Sequence, residues 1–244
     1  MTGTVQVTHD DRAVTIALNR PHKRNALDVA TSRSLAAAVD ASVDTPLPLV
    51  FRSRAPGMFV AGTDVADLRA RSVDQSLGRI NSRLMRRVYD HPWPTIAVVD
   101  GPALGGGCEL ALACDFRVAS TRSLWGLPEV RLGLVPSAGG LWRLAQIVGE
   151  ALATELVLTG RRLEAAEAKQ AGLVTTLTEP EALDAAVAAL LDALSGTSLA
   201  AVRLAKEAMR VRDDRNRLVD AAAQALSLAD PDTQERLSRV IDGS

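Results

Sequence analysis

The chain has 244 residues, 47% of them hydrophobic and 23% charged, enough to bury one large domain, or one with a small appendage, while keeping a polar surface. A formal net charge of −1 gives no global pull towards nucleic acid or anionic membrane, and 3% aromatics argues against a stacking platform for single-stranded nucleic acid. No apolar run approaches the about 18 residues of a membrane-spanning helix. The first residues lack a basic segment leading into an apolar one, so no signal peptide is read and a cytoplasmic location is expected. The two cysteines, Cys108 and Cys114, fit neither C-x-x-C nor a metal cluster. They are expected as buried reduced thiols, and no metal site is expected.

Residues 4–8 and 13–18 read as two short strands around a polar "HDD" turn. Residues 26–42 carry helical spacing, with Leu27, Leu35 and Val39 apolar and Asp28 placed to cap the start. A buried strand follows over 46–53, then "MFVAGTDVADL" (58–68) as a strand end, a turn at Gly62 and a helix start. A helix over 76–90 is stopped by "HPWP". The continuous β-branched run "TIAVVD" (95–100) predicts a buried strand, a glycine loop and short helix come next, and "FRVAS" (116–120) is another strand. A loop and helix follow, and from about residue 149 the chain reads as helical apart from one strand at 173–177. The pattern predicts an α/β fold: a core over 1–190 built from repeated strand, loop and helix, and a helical region over 191–244.

The stretch "GPALGGGCELALACD" (101–115) concentrates the chemistry. It fails the dinucleotide fingerprint, because Leu110 stands where the third glycine belongs, and it has no lysine for a phosphate loop. The nucleophile elbow G-x-S-x-G is also absent. On spacing alone two readings stay open. The glycines let the helix pack tightly against a neighbour, or they let a ligand approach backbone N–H groups at a positively polarised helix start. Glu109, in the first turn of that helix, is favoured by the helix dipole in either case. Ser137 has no base partner for a nucleophilic role, and His9, His22 and His91 are scattered near turns.

The motifs together resemble the crotonase, or enoyl-CoA hydratase/isomerase, superfamily. "LNRPHKRNALD" (18–28), "MFVAGTDV" (58–65), the glycine stretch, "WGLPEVRLGLVPSAGGLWRL" (125–144) and "LTGRRLEAAEAKQAGLV" (158–174) occur in the order of that family's motifs. The resemblance implies a spiral of repeated ββα units, a helical C-terminal trimerisation region, and a homotrimer or dimer of trimers. It implies acyl-CoA substrates, coenzyme A being part of the substrate with no further cofactor, and neither a nucleic-acid nor a membrane partner. It implies an oxyanion hole made by the N–H groups of Ala61 and Gly106, with Glu109 and Glu129 as catalytic acids. The substrate and CoA contacts it implies are Lys23, Arg24, Ala26, Ala61, Gly62, Thr63, Asp64, Leu68 and Gly105, with a capping role preferred for Asp64.

Two carboxylates suit hydration, in which one water is activated at C3 and a proton is delivered to C2. Isomerisation can run on one base, and isomerising members often keep only the glutamate matching Glu129. The resemblance therefore favours a hydratase, with a Δ3,Δ2-enoyl-CoA isomerase or another acyl-CoA lyase or dehydratase as the alternative. An RNA-binding homologue would need a lysine-bearing first helix, and that helix carries only Arg33. The C-terminal "DPDTQERLSRVIDGS" lacks the aromatic and Lys-Arg pattern that covers CoA in many hydratases, which puts cover by a neighbouring subunit in doubt.

Overall fold

The structure, a computed structural model, describes residues 3–70, 79–209, 229 and 231–242. β1 (Val5–His9) and β2 (Val14–Leu18) form a hairpin whose turn is fixed by Asp10, which accepts the N–H groups of Arg12 (2.9 Å) and Ala13 (2.8 Å). After a 3-10 turn at Pro21–Lys23, α1 (Val29–Ser42) starts under the Asp28 carboxylate, which accepts the Thr31 N–H at 2.7 Å. The order continues as β3 (Leu49–Ser53), α2 (Val65–Ala70), α3 (Ile80–Tyr89), β4 (Thr95–Val99), β5 (Pro102–Leu104), α4 (Gly106–Ala113), β6 (Phe116–Ser120) and β7 (Leu124–Gly126). A 3-10 turn (Pro128–Leu132) leads into α5 (Gly140–Val148), α6 (Glu150–Thr159), β8 (Leu163–Glu164), α7 (Ala165–Gln170), β9 (Thr176–Thr178), α8 (Leu183–Ser195) and α9 (Leu199–Met209), and α10 (Pro231–Asp242) follows near the C-terminus. The helix expected over 76–90 begins outside the described residues, and residues 210–228 of the helical stretch read after about residue 149 lie outside them as well.

Six strands make one sheet in the order β1-β2-β3-β4-β6-β9, parallel except for the first pair, and β5-β7-β8 make a second, smaller sheet. Each turn of the chain repeats one scheme. β4 joins the large sheet, β5 the small one, and α4 follows; β6, β7 and α5 do the same. The turn before them is a reduced copy, in which β3 is followed by Val60, bridged in parallel to Ala103, and then by α2. Successive turns are thus stitched together twice, once in each sheet.

Strand alternation sorts the core into two faces. Leu49, Phe51, Ala97, Val99 and Ala119 point into the main core with Leu35, Leu84 and Trp125. Val50, Ile96, Val98 and Val118 point the other way, onto Leu183 and Val187 of α8. The boundary expected after residue 190 therefore runs through a helix: Leu190, Leu191 and Leu194 continue the α8 face that covers the sheet. A third cluster forms where Leu237 of α10 meets Leu68 of α2 and Leu134. Thr233 of α10 also donates its hydroxyl to the Gly133 carbonyl at 2.6 Å. The C-terminal helix thus packs on its own chain's α2. Among the described residues no helix is long and apolar enough to cross a membrane.

Candidate active site

The small sheet brings the chemistry-bearing segments to one place. Parallel pairing sets Leu104 opposite Gly126, and the Gly105 N–H donates to the Gly126 carbonyl at 2.9 Å. Gly105 follows β5 and caps α4, and Glu129 follows β7 by one short step, so both glutamates arrive beside the glycine loop. The other end of α4 is fixed by the buried Arg117, whose guanidinium donates to the carbonyls of Cys114 (2.7 Å) and Ala111 (3.3 Å). A cation at a helix C-terminus is favourably placed against the dipole.

The glycines answer to close approach. A β-carbon on Gly107 would lie 1.9 Å from the Val60 carbonyl oxygen, and one on Gly106 would lie 2.8 Å from Thr63 Oγ1 and 3.6 Å from Thr63 N. The start of α4 is therefore pressed onto the Ala61–Asp64 turn.

That turn corrects the expectation for Ala61. Its N–H donates to the Arg24 carbonyl at 3.1 Å and is not available to a ligand. Leu27 bonds on both sides of Thr63, donating its N–H to the Gly62 carbonyl (2.8 Å) and accepting the Asp64 N–H (3.0 Å). In extended chain successive N–H groups point to opposite sides. Thr63 N–H therefore faces away from Leu27, and neither it nor the Gly106 N–H has an acceptor among the described residues. Two neighbouring backbone donors without acceptors can hold an oxyanion.

Asp64 is a capping residue. Its Oδ1 accepts the Ala66 N–H (3.1 Å), at the start of α2, and its Oδ2 pairs with Arg20 (3.2 Å), so the protein itself engages both oxygens. Arg20 also pairs with Asp28 at 2.8 Å and donates to the Ala26 carbonyl at 2.9 Å. Lys23 and Arg24 are exposed on the adjoining turn, and Leu68 is buried against α10.

The structure also assigns a role to Asn25, which sequence reasoning passed over. It is fully buried at φ +55°, accepts the Arg20 N–H (2.8 Å) and donates to Ser53 Oγ and the Phe59 carbonyl (both 2.9 Å). Asparagine tolerates this left-handed conformation better than most residues. It ties the Lys23–Leu27 segment to the strand leading into the Ala61 turn. Asp100 has a similar task, accepting the Gly57 N–H at 2.7 Å and pairing with Arg122 at 2.7 Å.

The two glutamates meet opposite surroundings. Glu109 is 4% exposed, and its Oε1 accepts two backbone N–H groups, from Ala138 (2.7 Å) and Gly140 (2.9 Å). Such donors suit the ionised acid. Glu129 has a buried Oε2 without a hydrogen-bond partner among the described residues. Burial, and then the charge of Glu109, push its carboxyl well above the ordinary range. The two N–H donors on Glu109 thus favour its ionised form, while the surroundings of Glu129 favour its protonated one. Cys108 and Cys114 are buried free thiols; burial and then the Glu129 charge push the Cys108 thiol up.

The sequence profile of the enoyl-CoA hydratase/isomerase family matches residues 9–238. The crotonyl-CoA hydratase of Syntrophomonas wolfei is 34% identical over 241 residues, covering 96% of this chain and 93% of that protein. The 2,3-dehydroadipyl-CoA hydratase of Escherichia coli is 36% identical over 205 residues, covering 84% and 80%. The crystal structure of an enoyl-CoA hydratase from Bacillus anthracis superposes with a TM-score of 0.82 at 30% identity, over 99% of this chain and 97% of that one. The chain belongs to the enoyl-CoA hydratase/isomerase family and has the crotonase fold. Within that family its similarity runs to proteins named as hydratases, and it is an enzyme of the hydro-lyase kind.

Proposed function

We propose that the protein adds water across the 2,3-double bond of a trans-2-enoyl-CoA to give a 3-hydroxyacyl-CoA. The observation that carries this reading is the contrast between Glu109, held by two N–H donors, and Glu129, whose Oε2 is buried with no hydrogen-bond partner among the described residues. The thioester carbonyl oxygen sits between the N–H groups of Thr63 and Gly106, which stabilise the charge it gains as the enolate forms. Each such donor is worth roughly 3–4 kcal/mol. Water attacks C3 while the Glu109 carboxylate takes one of its protons, and the Glu129 carboxyl gives its proton to C2. A proton then passes from Glu109 to Glu129 and restores the starting state, so the net change is the addition of one water.

Coenzyme A enters as part of the substrate, and these steps call on no other group. Lys23 and Arg24, exposed beside Ala26, meet the anionic nucleotide end, while Gly62 and Gly105 keep side chains away from the thioester. Leu68 lines the acyl end together with α10. The working unit is a homotrimer or a dimer of trimers. Leu158, Leu204 and Met209, 71%, 65% and 77% exposed on α6 and α9, support this, because large apolar side chains in such positions suit a subunit contact.

The test is hydration of crotonyl-CoA and longer 2-enoyl-CoA thioesters, followed as loss of the conjugated enone absorbance. Turnover that falls strongly with either Glu109→Gln or Glu129→Gln supports the reading. Absence of turnover at every chain length overturns it, and conversion of a 3-enoyl-CoA to the conjugated isomer without hydration favours the isomerase instead.

A further inference from the structure

The turn that holds Glu109 is itself held from behind. Arg143, on α5, is 3% exposed, and its guanidinium lies 4.7 Å from the ring centre of Tyr89 and 4.4 Å from that of Trp142. Its Nη1 donates to the Ala138 carbonyl at 2.9 Å. That carbonyl belongs to the peptide joining residues 138 and 139. The peptides on either side carry the two N–H groups, of Ala138 and Gly140, that converge on Glu109 Oε1. Three successive peptides thus alternate: the outer two face Glu109 and the middle one faces Arg143.

The reversal needs Gly139, at φ +99°, where a β-carbon would lie 2.2 Å from Arg143 Nη1. The guanidinium is therefore packed directly against the turn it pins. Burying a guanidinium costs free energy that an apolar side chain would not. Cation–π contact with two rings, which stand at 84° to each other, offsets part of that cost and confines the group from two sides.

We propose that Arg143 is a positioning residue for Glu109. By pinning the 138–139 peptide, it keeps the Ala138 and Gly140 N–H groups aimed at Oε1 and so fixes the carboxylate that takes the water proton. The kinetic consequence rests on the hydratase reading; the positioning itself does not.

The experiment compares Arg143→Met with Arg143→Lys, which keeps a charge and a donor long enough to reach the Ala138 carbonyl. Thermal melting checks the fold of each. For crotonyl-CoA, Arg143→Met is expected to lower kcat about 10–100-fold, the scale of an ångström-level misplacement, with KM within about threefold. Arg143→Lys is expected to recover most of kcat. Should the Met variant fail to fold, Arg143→Gln, too short to reach the carbonyl, is expected to show the same loss. A kcat within threefold of the parent, a parallel change in kcat and KM, or a Lys variant no better than Met overturns the proposal. A crystal structure of the Met or Gln variant separates this from the hydratase reading. Glu109 is expected to lose at least one of its two N–H bonds, and retention of both overturns the positioning role whether or not the parent protein hydrates enoyl-CoA.

Discussion

Glu129 closes onto Gly105: a β-carbon added to that glycine would lie 3.0 Å from Glu129 Oε1 and 3.5 Å from its carboxyl carbon. The same glycine caps the helix that carries Glu109, so one residue without a side chain lies between the two acids. The approach keeps Glu129 out of water and within reach of Glu109's charge, the two causes of its raised pKa.

The first prediction concerns Glu129→Gln. It removes the proton donor and is expected to lower kcat by about 10²–10⁴-fold, the usual worth of a general acid. Its melting temperature at neutral pH is expected to equal or exceed that of the parent, because a buried ionisable group set against the Glu109 charge is replaced by a neutral one. Steady-state kinetics beside differential scanning fluorimetry checks both. A large drop in melting temperature contradicts the expectation.

The same carboxyl sets a pH dependence. Its folded pKa is raised above the ordinary 4.5, so the folded state binds this proton more tightly than the unfolded state does. The associated stability is complete below the ordinary value and is lost as pH rises through the folded value. The parent is therefore expected to melt lower on the alkaline side and to lose kcat over the same limb, where Glu129 ionises. Melting curves across pH for the parent and for Glu129→Gln check this, and the alkaline loss of stability is expected to shrink in the variant.

Gly106→Ala tests the donor pair. The added methyl meets Thr63 Oγ1 at 2.8 Å, displaces that side chain, and stands 3.6 Å from Thr63 N, beside the pair of N–H groups that the oxyanion would approach. A loss of about 10²–10³-fold in kcat is expected, the effect of removing one oxyanion donor, with the fold retained by circular dichroism.

Asn25→Ala is expected to destabilise by about 2–4 kcal/mol, measured by urea unfolding. It leaves the Phe59 carbonyl without its side-chain donor and puts an ordinary residue at φ +55°. Activity at low temperature is expected to survive in part, since no atom of Asn25 lies in the proposed chemistry.

The sequence made the long elements of the fold plain, and the reason is local. β4 and the first three residues of β3 are buried on both faces, and Asp28 announces α1 by accepting the Thr31 N–H. The small sheet was not legible: β5 and β7 span three residues each and β8 two, too few for any periodicity to register. Yet this sheet brings Glu129 to the glycine loop. The glutamates and Gly106 were readable from motif resemblance, while the assignment of Ala61 failed because N–H direction depends on the pairing of Leu27 with the turn, a contact between segments distant in sequence. Nothing in the spacing of "SAGGLWR" announced the link from Arg143 to Glu109, which requires knowing that the 138–139 peptide turns over at Gly139.

Leu237→Ala tests the C-terminal helix. Leu237 is fully buried against Leu68 and Leu134, and its truncation is expected to cost about 2–5 kcal/mol of docking free energy. Hydrogen exchange is expected to rise in α10 and α2 while the large sheet stays protected. KM for longer acyl chains is expected to change more than KM for crotonyl-CoA.

The stitching of successive turns through the small sheet separates the spacing of the acids along the chain from their spacing in the fold. Between Glu109 and Glu129 the chain leaves for the large sheet through β6, rounds an exposed corner at Thr121 and Arg122, and returns along β7. The return is fixed by Leu104 opposite Gly126 and by the Gly105 bond to its carbonyl. The separation of the acids is therefore set by that pairing and by the ties of the corner itself, Thr121 N–H to the Thr178 carbonyl (2.9 Å) and Arg122 to Asp100 (2.7 Å), and not by the number of residues between them.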